Sequence, residues 1–165
     1  MKTKKLVFMA LLAAISLAIW VAEAQIPPVV PVPGVKLGLA NIITLAAMAL
    51  LGRREALCVL AVRIVLGSVF AGSFSAILFS LAGGLLAWGV MALTIGLFAD
   101  GQLWIVSVLG ALGHNAGQLI AAIAVTKTPS LLWYGPALAA AAVVTGAFTG
   151  VAAVYLVKAL RKHKT

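Results

Sequence analysis

The sequence predicts an all-α integral membrane protein of six transmembrane helices, and three observations lead there. Apolar residues fill 64% of the 165 positions, mean hydropathy is +1.21, and only 9% of residues are charged, against about 25% in a soluble domain. The apolar residues gather in six stretches, residues 6–24, 37–51, 56–71, 75–98, 103–125 and 131–157, and a helix needs about 20 mostly apolar residues to cross hydrocarbon. Leu, Ala and Gly dominate with no alternating apolar and polar pattern, which argues against a membrane β-barrel. The expectation is one transmembrane domain over residues 1–165, its second and third spans short.

The first stretch competes with a secretory signal: Lys2, Lys4 and Lys5 precede an apolar run that ends at Ala22-Glu23-Ala24. A retained helix is the preferred reading. Ala10, Ala14 and Ala18 recur every fourth residue and make a smooth stripe suited to close helix packing in lipid. Pro27, Pro28, Pro31 and Pro33 then break the chain, and this segment is read as either a lid or a plain connector. Gly52-Arg53-Arg54-Glu55, Gly72-Ser73, Asp100-Gly101 and Lys127-Thr128-Pro129-Ser130 supply the remaining connections.

Orientation follows from the cations. With the N-terminus inside, the cytoplasmic set is Lys2, Lys4, Lys5, Arg53, Arg54, Lys158, Arg161, Lys162 and Lys164, whereas only Lys36 and Lys127 fall outside. Both termini are therefore expected in the cytoplasm. The net charge of +9 is mostly this anchoring pattern. The cations are spread over separate patches with no binding module between them, so nucleic acid is not an expected partner. Trp20, Trp104 and Trp133 fall near span ends and read as interfacial anchors.

Polar residues at membrane depth carry the functional signal. Arg63 sits midway through the third stretch, where an isolated charge costs at least about 2.5 kcal/mol. It should face the interior and meet an acid, carbonyls or an anionic ligand. Glu55 shares a similar face but lies about 12 Å away along the axis. In the fifth stretch His114, Asn115 and Gln118 follow one another at i, i+1 and i+4, and are read as one polar face beside Gly113 and Gly117. Glu23, Lys36 and Asn41 are expected near the outer end. Together Glu23, Lys36, Asn41, Arg63, His114, Asn115 and Gln118 are the candidate substrate-binding residues, converging on a cavity open to the outside. Gly83-Gly84 with Ser80 marks a close contact or local unwinding, and Gly146 with Gly150 a packing face.

Catalytic motifs are missing. No G-x-x-x-x-G-K-[ST] phosphate loop occurs. Three acids in the whole chain, Glu23, Glu55 and Asp100, leave no paired-carboxylate site and no aspartate-rich magnesium site. There is no H-E-x-x-H and one cysteine, Cys58. No metal, cofactor or catalytic residue is expected; binding and translocation remain.

Four segments resemble one bacterial family: Pro33-Gly34-Val35-Lys36-Leu37-Gly38-Leu39-Ala40-Asn41-Ile42, Arg63-Ile64-Val65-Leu66-Gly67-Ser68, Phe79-Ser80-Leu81-Ala82-Gly83-Gly84 and Gly113-His114-Asn115-Ala116-Gly117-Gln118. This is the Gx transporter family, also labelled heptaprenyl diphosphate synthase component I, and the resemblance covers about residues 5–160. The family is similar to the substrate-binding S components of energy-coupling factor (ECF) transporters. That similarity implies a six-helix bundle in the bacterial plasma membrane that captures a small molecule from outside. It also implies partners: a transmembrane coupling subunit, docked on an Ala-xxx-Ala surface matched by Ala10, Ala14 and Ala18, and cytoplasmic ABC-type ATPases that hydrolyse ATP. The synthase label implies instead a noncatalytic membrane subunit of polyprenyl diphosphate synthesis. Lys36, Arg63 and His114 would suit an anionic ligand such as a diphosphate.

Overall fold

The computed structural model describes residues 2–26, 36–71 and 74–162. They form six α-helices: α1 (Lys2–Glu23), α2 (Asn41–Leu51), α3 (Arg53–Ala71), α4 (Phe74–Thr94), α5 (Leu103–Thr126) and α6 (Gly135–Lys162). Short 3-10 turns lie at Ile95–Leu97, Asp100–Gln102 and Pro129–Tyr134, and no strand occurs among the described residues. The Pro-rich segment with Pro27, Pro28, Pro31 and Pro33, and the turn at Gly72-Ser73, lie outside the described residues.

Each expected apolar stretch thus corresponds to a helix, but the six are not equivalent. Four, α1, α4, α5 and α6, are long and apolar enough to cross a membrane. The 11 residues of α2 rise only about 16 Å, roughly half the hydrocarbon thickness. The 19 residues of α3 are long enough, but Arg53, Arg54, Glu55 and Arg63 interrupt their apolar character.

The place of α2 explains its composition. It touches every other helix of the bundle, and seven of its residues, from Asn41 to Met48, are buried. A helix that is apolar all round belongs in an interior. Around it the contacts run α1 to α3, α3 to α4, α4 to α5 and α5 to α6. Gly52 separates α2 from α3 with φ of +114°, a conformation that disfavours any side chain, and its amide closes α2 on the Met48 carbonyl at 3.1 Å. The break is therefore one residue, and Arg53 already begins α3.

Small residues set the spacing of the last three helices. A methyl group at Gly117 would collide with the Ala82 carbonyl oxygen of α4, and one at Gly113 would lie 3.2 Å from the Leu86 carbonyl oxygen. On the opposite side, Gly146 and Gly150 of α6 rest on the backbone of Val108 and Trp104. Between lipid-solvated helices, where no hydrophobic force acts, such close approach supplies the attraction. Buried Ser107 and Thr149 add a side-chain hydrogen bond of 3.0 Å across α5 and α6. Helix α4 runs unbroken through Gly83-Gly84, so these glycines mark contact rather than unwinding.

One end of the bundle is tied by charge. Lys5 of α1 pairs with Glu55 of α3, and Arg161 of α6 pairs with Asp100 while also donating to the Ala49 carbonyl at the end of α2. Trp104 and Trp133 are exposed, as expected of anchors, but Trp20 is 7% exposed. Its ring packs against Gly67 of α3, so it belongs to the interior. Replacing Gly117 by Ala should lower the unfolding free energy by about 1–3 kcal/mol through overpacking. Gly89→Ala meets no neighbour within 4 Å and should be neutral or slightly stabilising; thermal unfolding of both variants in detergent checks the contrast.

Candidate functional site

Glu23 ends α1 with its carboxylate turned inward, 4% exposed. Its two oxygens accept hydrogen bonds from the Gly38 amide at 2.6 Å and the Leu39 amide at 3.1 Å. These amides precede α2, where backbone donors lack helical partners and a carboxylate satisfies them well. From α5, Gln118 reaches the same segment: its Oε1 accepts the Lys36 amide at 2.9 Å. Two buried side chains from separate helices therefore clamp residues 36–39 over the interior. Gly38, with φ of +79°, turns the chain here, and a methyl group on it would lie 2.8 Å from the His114 ring.

Beneath the clamp is a cavity. Trp20 and Glu23 of α1 line it with Lys36, Gly38 and Ala40 of the clamped segment. Asn41 of α2, Arg63 of α3, Ser80 of α4, and His114 and Gln118 of α5 complete the wall. About 230 Å³ of space lies between these atoms, including the open mouth, yet the enclosed part holds only about one water molecule.

The chemistry of the wall is unusual for a membrane interior. Arg63 is 3% exposed and His114 4% exposed. Among the described residues, Arg63 Nε and Nη2, both ring nitrogens of His114, and Asn41 Nδ2 are buried without a hydrogen bond of good geometry, although the Gly83 backbone lies against the His114 ring. No carboxylate stands within ion-pair distance of Arg63 among the described residues. Orphaned polar atoms at such depth carry a large penalty unless something binds them. The Lys36 ammonium sits 3.8 Å above the Trp20 ring, a cation–π contact. Partial burial pulls its pKa below the ordinary lysine value, and the Glu23 carboxylate partly offsets this.

Of the seven residues expected here, Glu23, Lys36, Asn41, Arg63, His114 and Gln118 line one cavity. Asn115 does not. It follows His114 directly and so points about 100° away around the helix, where its Nδ2 donates to the Leu138 carbonyl of α6 at 2.9 Å. Trp20 and Ser80 belong to the wall although neither was expected in it. Spacing holds the signal for both: Trp20 lies one turn before Glu23, and Ser80 one turn before Gly83 and Gly84, which pack on His114, Gln118 and Arg63. Ala10, Ala14 and Ala18 are not part of the cavity wall and are exposed along α1.

Two outcomes test this geometry. Arg63→Met should stabilise the empty protein, by on the order of 2 kcal/mol, because it removes an uncompensated charge from the interior; equilibrium unfolding in bicelles measures it. Glu23→Ala should cost about 1–3 kcal/mol by leaving the Gly38 and Leu39 amides unpaired, and hydrogen exchange at those two amides should accelerate.

No curated protein and no solved structure is similar to the chain at a significant level. The family model described as heptaprenyl diphosphate synthase component I matches residues 12–156, a span that takes in the second half of α1, all of α2 to α5, most of α6 and every residue of the cavity. The chain belongs to the heptaprenyl diphosphate synthase component I family.

Proposed function

We propose that this protein is the membrane-embedded capture component of a multi-subunit importer of the ECF type, taking a small molecule from outside the cell. The observation that carries the reading is the cavity wall: buried Arg63, His114 and Asn41, contributed by three helices, turn unpartnered polar atoms into one enclosed space. Structural roles would have paired these atoms within the protein. A ligand that pairs them offsets the penalty, which is the ordinary logic of an intramembrane polar site.

In this reading the clamped segment 36–39 is the moving wall. The enclosed space holds about one water, so a substrate enters as the clamp opens and is enclosed as Glu23 and Gln118 re-engage. The cavity lies at the end of the bundle opposite the Lys5–Glu55 and Arg161–Asp100 pairs. Those pairs sit with the basic N-terminal, α2–α3 and C-terminal patches, which the cation bias assigns to the cytoplasm; the cavity then opens outward from a bacterial plasma membrane. All six helices belong to the membrane domain, α2 enclosed by the others and α3 shielding Arg63.

The partners are a transmembrane coupling subunit and cytoplasmic ABC-type ATPases. Ala10, Ala14 and Ala18 remain exposed on α1 while Leu12, Ala13 and Ser16 pack inward. This small-residue face is unused within the bundle and suits close approach of another helix. The chain acts as a binding protein and not as an enzyme, with ATP hydrolysis supplied by the partners.

A second reading draws on the family description, a component of heptaprenyl diphosphate synthase: a noncatalytic membrane subunit that holds a polyprenyl precursor. The three acids do not favour a synthase centre. Glu23 is engaged with backbone amides, Glu55 with Lys5, and Asp100 with Arg161, so no pair is free to hold magnesium and diphosphate.

Native mass spectrometry of the protein from its own membranes should reveal a bound small molecule that disappears in His114→Leu and persists in Asn115→Ala. A wild type that carries none would overturn the capture reading. Ala14→Trp should abolish co-purification of the coupling subunit and ATPases while the small molecule stays bound. Assembly that survives this change rejects the docking face, and prenyl synthase activity dependent on this chain would favour the second reading.

A further inference from the structure

We infer that the cavity is built for an oxyanion, the phosphate, diphosphate or carboxylate group of the captured molecule, seated among Arg63, His114, Asn41 and Lys36. The inference rests on the capture reading and names the chemistry of its substrate.

Buried donors dominate the wall, and its carboxylate is already engaged. Arg63 Nε–H and Nη2–H and the Asn41 Nδ2 amide are buried and unpartnered. A neutral His114 adds one ring N–H donor, its other nitrogen being an acceptor. The strong acceptors are already occupied: both Glu23 oxygens by the Gly38 and Leu39 amides, and Gln118 Oε1 by the Lys36 amide. A cation would therefore find no free carboxylate. A neutral apolar group would leave the Arg63 and Asn41 donors as orphaned as they are in the empty cavity.

Charge points the same way. The titratable groups facing the space are Glu23, Lys36, Arg63 and His114. Two cations against one carboxylate leave one net positive charge with His114 neutral, in surroundings where water cannot screen it. Arg63 is the residue type whose planar fork suits an oxyanion. The glycines keep that fork bare: a methyl group on Gly84 would lie 3.4 Å from Arg63 Nη2, and one on Gly83 would lie 2.9 Å from His114 Nδ1. The wall over these donors is residues 36–39, tied by three hydrogen bonds to Glu23 and Gln118.

The oxyanion has two possible sources, a free small molecule or the phosphate of a lipid headgroup, and the test separates them. The full-length protein is delipidated in a phosphate-free maltoside and titrated by thermal shift with inorganic phosphate, diphosphate and acetate, with glycerol as neutral control and phosphatidylglycerol as a second arm. We expect saturable stabilisation by at least one of the free anions and none by glycerol. Arg63→Gln should weaken that binding at least about tenfold. Lys36→Met, on a partly buried connecting residue outside the helices, should weaken it by about fivefold or more and serves if the Arg63 variant fails to fold. Protection by phosphatidylglycerol alone, lost in the same variants, would support the oxyanion chemistry and assign it to a lipid. No response to any anion, or binding unchanged in both variants, overturns the inference. The capture reading fails separately. A co-purifying neutral molecule lost in His114→Leu would leave capture standing and remove the oxyanion, whereas phosphate binding in a protein that never carries a small molecule would do the reverse.

Discussion

Hydrocarbon does not tolerate an unsatisfied polar group, and the arrangement of this bundle follows from keeping one such group, the Arg63 guanidinium, away from it. The side chain is turned inward from α3, a helix too charged to meet lipid on all sides. Burial alone does not solve the problem, since Nε and Nη2 find no hydrogen-bond partner among the described residues. The bundle therefore maintains a costly charge that packing does not require. The fold around it is correspondingly conservative: a central short helix, glycine-spaced neighbours, and ion pairs kept to the far end.

The clamp shows how such a site is held in shape. Glu23 acts on Arg63 only through space, because its two oxygens are bonded to the two amides that lead into α2. This arrangement fixes the position of residues 36–39, presents Lys36 over the Trp20 ring, and leaves the guanidinium free. A carboxylate bonded to two backbone donors is also a poor competitor for any ligand that approaches Arg63. Position and electrostatics are thus set by the same residue.

Much of this was legible in the sequence, for reasons that differ by residue. The helices were readable because apolar length is the strongest signal a membrane chain carries, although counting apolar residues gave α2 a crossing its 11 residues cannot make alone. Arg63, His114 and Gln118 stood out because their types are expensive at depth. Asn115 misled because it satisfies the same criterion. Its carbonyl partner, Leu138, is distant in sequence, and only the packing of α6 on α5 reveals it. Trp20 was misplaced because its position near a span end is ambiguous until Gly67 is seen to make room for the ring. The bonds from Glu23 to Gly38 and Leu39 were beyond sequence reasoning altogether, since backbone amides leave no mark in composition.

Helix α1 has a mechanical consequence of its own. Its 22 residues make a rod about 33 Å long, pinned at one end by Lys5 to Glu55 and at the other by Glu23 to the entry of α2. The alanine stripe runs along the flank between these two pins. A stiff rod moves as one piece, so a displacement applied anywhere along that flank is felt at the Glu23 carboxylate and at the Gly38 and Leu39 amides it holds above Arg63.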